Sequence, residues 1–212
     1  LDMEPIMIGG FGSKTFYRLD PGLFFPEQPW HSTVSAKLYN QHDAEKAKRL
    51  LKEANYARQP VRWATTREYE FMYKNAEVAK QQLEQVGFNV DLQVLDWATL
   101  NSRALKPELW DVASTGLVFT ADPANHIVFR CNWWGSWCNE EKEQLLTELA
   151  RESDVKKRKA LVERMQVIFY EDVGRVKLGD YFTLDVARRE LRGPFRTGAR
   201  MYFWNSWLAT GK

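Results

Sequence analysis

The chain has 212 residues, 44% of them hydrophobic and 27% charged, a soluble globular balance with enough length to bury a core. Its 30 basic and 28 acidic residues are interspersed and leave a net charge of +2, which argues against a nucleic-acid footprint and a polybasic membrane patch. No run approaches the ~20 apolar residues a membrane helix needs. The chain opens at Leu1 without a secretory signal, so it is read either as a mature protein or as a fragment of a longer one. Nine tryptophans help bring aromatics to 14%, which suits both cores and ligand-lined clefts.

In chain order, residues 1–42 carry Gly9-Gly10, Gly12, Pro21-Gly22, Pro26 and Pro29. This predicts a short helix and then a long, partly extended surface segment. Asp43 is placed to cap a helix with Ala44, Ala47, Leu50, Leu51 and Ala54 on one face, ended by Asn55-Tyr56. A strand is expected over 60–66. Thr65 and Glu68 then have capping-box spacing for a helix whose core positions are Met72, Ala76, Ala79, Leu83 and Val86, with Gly87 as its stop. Alternation of Phe88, Val90, Leu92 and Val94 predicts a half-buried strand over 88–95. A short helix over 99–106, stopped by Pro107, leads to a third strand from 110 to about 118.

Two more helices are expected over 140–151 and 155–172, burying Leu145, Leu146 and Leu149, then Leu161, Met165, Ile168 and Phe169. The basic cluster Lys156-Lys157-Arg158-Lys159 falls in the second and reads as a solvated face. Stretches 175–184 and 201–208 read as final strands. The fold class is α/β, a mixed sheet with a β-α-β-α-β core flanked by helices.

Cys131 and Cys138 frame a short loop containing Gly135, which points to a local disulfide and an extracytoplasmic setting; two buried thiols are the alternative. Zinc is poorly served by this spacing. His31, His42 and His126 form no metal spacing, and the first two read as surface residues; His126 reads as a satisfied local contact or, beside Asp122, a cleft residue. The segment from Gly9 to Thr15 only faintly resembles a phosphate loop, since Ser13 stands where a glycine is needed. Serine-hydrolase and zincin motifs are absent, and Glu171-Asp172 point different ways on a helix, so an enzyme finds no support and no cofactor is expected.

Ligands of open α/β sheets sit beyond the carboxyl ends of the parallel strands. That rule selects Arg67 after the first strand, Trp97 after the second, and Thr115, Gly116, Leu117, Phe119 and Asp122 after the third. A guanidinium, an indole and a glycine-containing backbone on one rim suit a small anionic or zwitterionic solute with apolar parts.

Four segments carry a family resemblance: Asp43-Ala-Glu-Lys-Ala-Lys-Arg-Leu-Leu-Lys-Glu-Ala54, the helix ending Gln81-Gln-Leu-Glu-Gln-Val-Gly87, Trp110-Asp111 leading to Asp122-Pro123, and the helix over 158–170. In that order the chain resembles the carboxyl-terminal lobe of the family 5 extracellular solute-binding proteins, the oligopeptide, dipeptide and nickel class. The resemblance implies a periplasmic-binding-protein-like lobe (type II, cluster C) over 1–180, with 181–212 returning toward a base lobe that is largely missing here. It implies a monomeric periplasmic protein that traps a small solute by hinge closure and delivers it to the membrane subunits of an ABC importer. A partner-docking module of the same fold, using exposed aromatics in 133–137, is the alternative. Dipeptide-binding relatives place an arginine near the position of Arg67 and a tryptophan at Trp97. They follow the third strand with Trp-x-x-Asp, where this chain has Gly116-Leu-Val-Phe119. Phe119 cannot pair with an ammonium, and Asp122 would need a different loop path, so a capped peptide or an opine-like solute stands beside a free-amine peptide.

Overall fold

A computed structural model describes residues 1–197 and 200–209. The elements follow in chain order: α1 (Met3–Phe11), β1 (Tyr17–Arg18), α2 (Ala44–Glu53), β2 (Pro60–Thr65), α3 (Glu70–Val86), β3 (Asn89–Val94), α4 (Trp97–Ala104) and β4 (Val112–Ala113). After these come α5 (Glu140–Leu149), α6 (Val155–Asp172), β5 (Asp180–Tyr181), β6 (Leu191–Arg192), β7 (Phe195–Thr197), β8 (Arg200–Tyr202) and β9 (Trp207–Leu208).

The expected β-α-β-α-β core forms a parallel sheet of order β3-β2-β4. Register runs from Pro60 opposite Asn89 to Thr65 opposite Val94, with Trp63 and Ala64 opposite Val112 and Ala113. Among the described residues, antiparallel pairing is confined to separate two-stranded ladders, β1 with β5, β6 with β9, and β7 with β8. The third strand is much shorter than the apolar run predicts. Backbone bonds from Asp111 N to Arg62 O and from Ser114 N to Ala64 O, both 2.9 Å, bracket it. The Asp111 carboxylate also accepts from Arg62 N at 2.7 Å and from its guanidinium at 3.0 Å, which locks the strand's entry.

Helix starts follow a simple chemistry. Asp43, Asp96, Asn139 and Asp154 each accept a backbone N–H three residues on, at 2.8 to 3.0 Å. Asp2 caps α1 two residues on, through Glu4 N at 3.2 Å, and α3 departs further. Thr65 stays in the strand, Thr66 Oγ1 accepts from Glu68 N at 3.2 Å, and Tyr69 precedes the helix without a side-chain cap. The expected capping box does not form, and the helix starts at Glu70. Gly87 ends it at φ +113°, a conformation that strains any residue with a Cβ.

Among the described residues three apolar clusters fill the interior. Met3, Ile6, Trp63, Ala76, Ala79 and Val90 pack α1 and α3 on one face of the sheet. Ala64, Leu100, Ala104 and Trp134 pack α4 on the other. The third cluster joins α5 and α6 to Phe24, Val128, Phe129 and Trp137. The segment before α2 is therefore not merely superficial. Phe24 is 2% exposed, and the fully buried Gln166 of α6 accepts from Leu23 N and donates to Ser32 O. By contrast α2 has no buried residue, and Leu50 of its expected core face is half exposed. Arg158 departs from the solvated face expected of its cluster. Its guanidinium donates to the carbonyls of Leu149 and Glu152 at 2.7 and 2.9 Å, where the end of α5 leaves acceptors unfilled.

The expected strand over 175–184 reduces to β5, and that over 201–208 divides between β8 and β9. No helix among the described residues is long and apolar enough to cross a membrane.

Candidate functional site

The carboxyl ends of β2, β3 and β4 meet at an aromatic rim. The turn after β2 is tied to the start of α4, because Glu68 accepts the Trp97 N–H at 2.9 Å. Next to that bond, Tyr69 meets Trp97 edge to face, with ring centres 4.8 Å apart. Tyr69 also meets Phe71 at 6.4 Å, and Phe71 stacks on Phe11 and Tyr181 at 5.3 and 5.1 Å. On the other side Trp97 leans on Trp134 at 6.0 Å. Six rings from five separate parts of the chain thus form one wall.

Gly116 belongs to this wall by virtue of its size. A Cβ there would lie 3.0 Å from Phe71 Cζ and 3.1 Å from Tyr181 Oη, so the backbone after β4 passes directly beneath the stack. Burial pushes the Tyr181 phenol above its usual range, with Tyr69 adding to the effect, so it is neutral and available as a donor or acceptor.

The remaining residues selected by the strand-end rule divide. Thr115 is exposed on the rim beside Gly116. Leu117 turns inward against the Phe24 and Phe129 cluster. Arg67 is exposed but folded over the ring of Tyr73 at 4.2 Å, donating to its hydroxyl at 2.8 Å, and Tyr73 in turn donates to Glu77. Arg67 and Trp97 are therefore linked through Glu68 and Tyr69 rather than touching. Phe119 stacks on Phe25 at 6.0 Å. Asp122 caps a short turn through Ala124 N at 2.8 Å and accepts from Arg158 at 2.6 Å, so its carboxylate is already engaged.

Cys131 and Cys138 form the expected disulfide, with Cα atoms 4.7 Å apart. Inside that loop Trp134 and Trp137 are buried, at 8% and 7% exposure. Burial also governs His126, whose pKa falls to about 4, with the Lys177 charge reinforcing the shift; its Nδ1 accepts from Val128 N at 3.2 Å. His126 is a local contact of the core. His31 is half-buried and pairs with Asp20 at 3.0 Å, whereas His42 is exposed. Among the described residues no three His, Cys, Asp or Glu side chains converge to hold a metal. A hollow of about 540 Å³ lined by Glu148, Arg151, Lys157 and Arg164 lies against α5 and α6, sharing no residue with the rim.

Residues 14–139 match the family model described as bacterial extracellular solute-binding proteins, family 5 Middle. The chain belongs to this family. As a family 5 solute-binding protein it is similar, at 28% identity over 205 residues, to a probable peptide ABC transporter periplasmic-binding protein of Sinorhizobium fredii, matching 91% of this chain and 39% of that one. Among solved structures it resembles a dipeptide-binding protein from Pseudoalteromonas in complex with Met-Leu, with a TM-score of 0.80 and 20% identity over 98% of this chain and 43% of that one. It likewise resembles the oligopeptide-binding protein AppA of Bacillus subtilis in complex with a nonapeptide, with a TM-score of 0.76 and 18% identity over 99% and 46%. These likenesses establish the type II binding-protein fold, and the chain spans about two fifths of the length of such relatives.

Of the residues selected from the strand ends, Trp97 and Gly116 lie in this wall, whereas Tyr69, Phe71, Phe11, Tyr181 and Trp134 join it without having been selected. Tyr69 and Phe71 were within reach of the same rule, lying a few residues past β2. The other three arrive from remote segments and leave no local signal.

Proposed function

We propose that this chain is the carboxyl-terminal ligand-binding lobe of an ABC-importer solute receptor, working outside the cytoplasm and binding without turnover. The observation that carries this reading is the aromatic rim at the carboxyl ends of the parallel strands in a chain of this family. Trp97, Thr115 and the Gly116 backbone form the solute-facing surface, and Arg67 swings from Tyr73 to meet an anionic group. Leaving the half-buried Tyr73 ring and its hydroxyl costs about 2 kcal/mol, comparable to what one charge-assisted contact returns. Leu117 and Phe119 shape the floor behind this surface. Asp122, held by Arg158, stays out of ligand binding, which favours capped or opine-like solutes over free-amine peptides.

In this reading residues 1–180 make up the lobe and 181–212 run toward a second lobe that completes the cleft. Leu184, Val186, Phe203, Trp207 and Leu208 are each more than half exposed, as a segment awaiting a neighbour would be. Closure of the two lobes traps the solute and presents the closed form to the transporter. The docking-module alternative is disfavoured, because Trp134 and Trp137 are packed inside the chain.

The test is calorimetry on a complete two-lobed protein carrying this chain, against dipeptides, capped peptides and opine-like compounds. Saturable binding of one solute per protein, with the solute recovered unchanged, is expected. Chemical conversion of a solute, or no binding anywhere in the panel, would overturn the proposal.

A further inference from the structure

The disulfide loop lies against the rim rather than at a distance from it. Trp134, at the centre of the loop, is a member of the apolar cluster under α4, together with Ala64, Leu100 and Ala104, and its ring is the one that backs Trp97. Trp133 stacks on Trp134 with ring centres 5.6 Å apart and planes 15° from parallel. Arg175 from outside the loop braces this arrangement, and Asp172 accepts from Trp137 Nε1 at 2.8 Å. Arg175, just past α6, places its guanidinium 4.7 Å from the centre of Trp133 and 6.0 Å from that of Trp137. It also donates to the carbonyl of Trp134 at 2.8 Å and to that of Arg130 at 3.1 Å, one inside the loop and one beside its first cysteine.

The loop cannot hold this shape by local preference alone. Gly135 lies at φ +83°, and Ser136 follows at +45°, where an L residue with a Cβ is disfavoured. Closure by Cys131–Cys138 removes the alternatives open to a free loop, and Arg175 selects among the rest. Burial lowers the Arg175 pKa to about 10, so the clamp remains charged throughout the physiological range.

We infer that the Cys131–Cys138 loop and Arg175 are positioning elements of the binding surface, fixing Trp134 as the backing that sets the plane of Trp97. This deepens the proposed function, since it rests on Trp97 being a solute contact. Arg175 suits the task better than a lysine would, because its guanidinium lies close to two indoles while donating to two carbonyls.

The experiment uses this 212-residue chain labelled with 5-fluorotryptophan, its fluorine resonances assigned by single Trp→Phe substitutions. Spectra are compared for the oxidised chain, the chain reduced with a phosphine, and the oxidised variants Arg175→Lys and Trp134→Phe. The Trp97 resonance is expected to shift or broaden in all three perturbed samples, along with the loop tryptophans that remain, while Trp30 stays in place. Should Trp97 hold its position when Trp133 and Trp137 move, the loop is only a local staple and the inference fails. If reduction unfolds the chain, the two oxidised variants decide by the same criterion. Adding solutes to the complete oxidised protein tests the functional reading separately. A Trp97 resonance indifferent to every solute would remove the rim's role while leaving the mechanical link intact.

Discussion

Asp122 and Arg158 offer the sharpest test of how this lobe is built. A carboxylate after the third strand can serve either a ligand or the fold. Here Arg158 is 11% exposed, pairs with Asp122 at 2.6 Å and lies 5.3 Å from the ring centre of Trp30. Two of its donor contacts go to the carbonyls of Leu149 and Glu152, and replacing it with methionine leaves both without a donor. At about 1 kcal/mol or more for each lost charge-assisted bond, Arg158→Met should cost about 3 kcal/mol. Asp122 is half exposed, so solvent screening holds its share of the pair to about 1 kcal/mol. Asp122→Asn keeps the cap to Ala124 and should cost about that much.

A urea-denaturation cycle over the parent, both single variants and the double variant reads the coupling directly. About 1 kcal/mol of coupling with unchanged m-values is expected. Solute affinity of the complete protein should shift by about twofold or less in Asp122→Asn. Two results would refute this account: Arg158→Met costing under about 0.5 kcal/mol, as a truly solvated residue would, or a loss of affinity of about tenfold or more in Asp122→Asn, which marks a ligand anchor.

Gly116→Val should drive apart Phe71 and Tyr181, destabilising the chain by about 1 to 3 kcal/mol and reducing its near-ultraviolet circular dichroism, with the far-ultraviolet spectrum retained. His126 has a folded-state pKa of about 4, below its unfolded value, so the unfolded chain binds the extra proton between these limits. Its contribution is therefore complete above about pH 6.5 and is lost as pH falls toward about 4, by roughly 3 kcal/mol at most. Urea titrations at several pH values should show that slope flatten in His126→Asn, whose side-chain oxygen can still accept from Val128. Lys142 is fully buried, donates to Phe129 O at 2.7 Å and lies 4.8 Å from the ring centre of Trp137. Lys142→Ala should cost about 2 to 4 kcal/mol by chemical denaturation, since it opens a cavity and strands that carbonyl.

Short-range chemistry was legible in the sequence. Asp43 capping α2, Gly87 ending α3, the inward Val90 and Leu92 of β3 (Val94 is exposed) and the apolar stripe of α6 were each specified by residues within a few positions of one another, and local periodicity is all such features need. The same logic failed where a residue had a better partner elsewhere. Thr65 fits a capping box by spacing, yet pairing of β2 with β3 holds it in the sheet, and Glu68 is drawn to Trp97 instead. Arg158 sits in a basic run, yet the end of α5 and Asp122 pull it inward.

By itself the sequence determined the order of the β2–α3–β3–α4–β4 core and of α5 and α6, the family, and the strand ends at which a solute surface is expected, while β1, β6 and β7 carry no such signal. Tertiary structure decided what lies at those strand ends. Phe11, Trp134 and Tyr181 join Tyr69, Phe71 and Trp97 only because α1, the disulfide loop and β5 pack against the mouth of the sheet. Contacts across such long separations follow from burying apolar area in three dimensions, which no local pattern encodes.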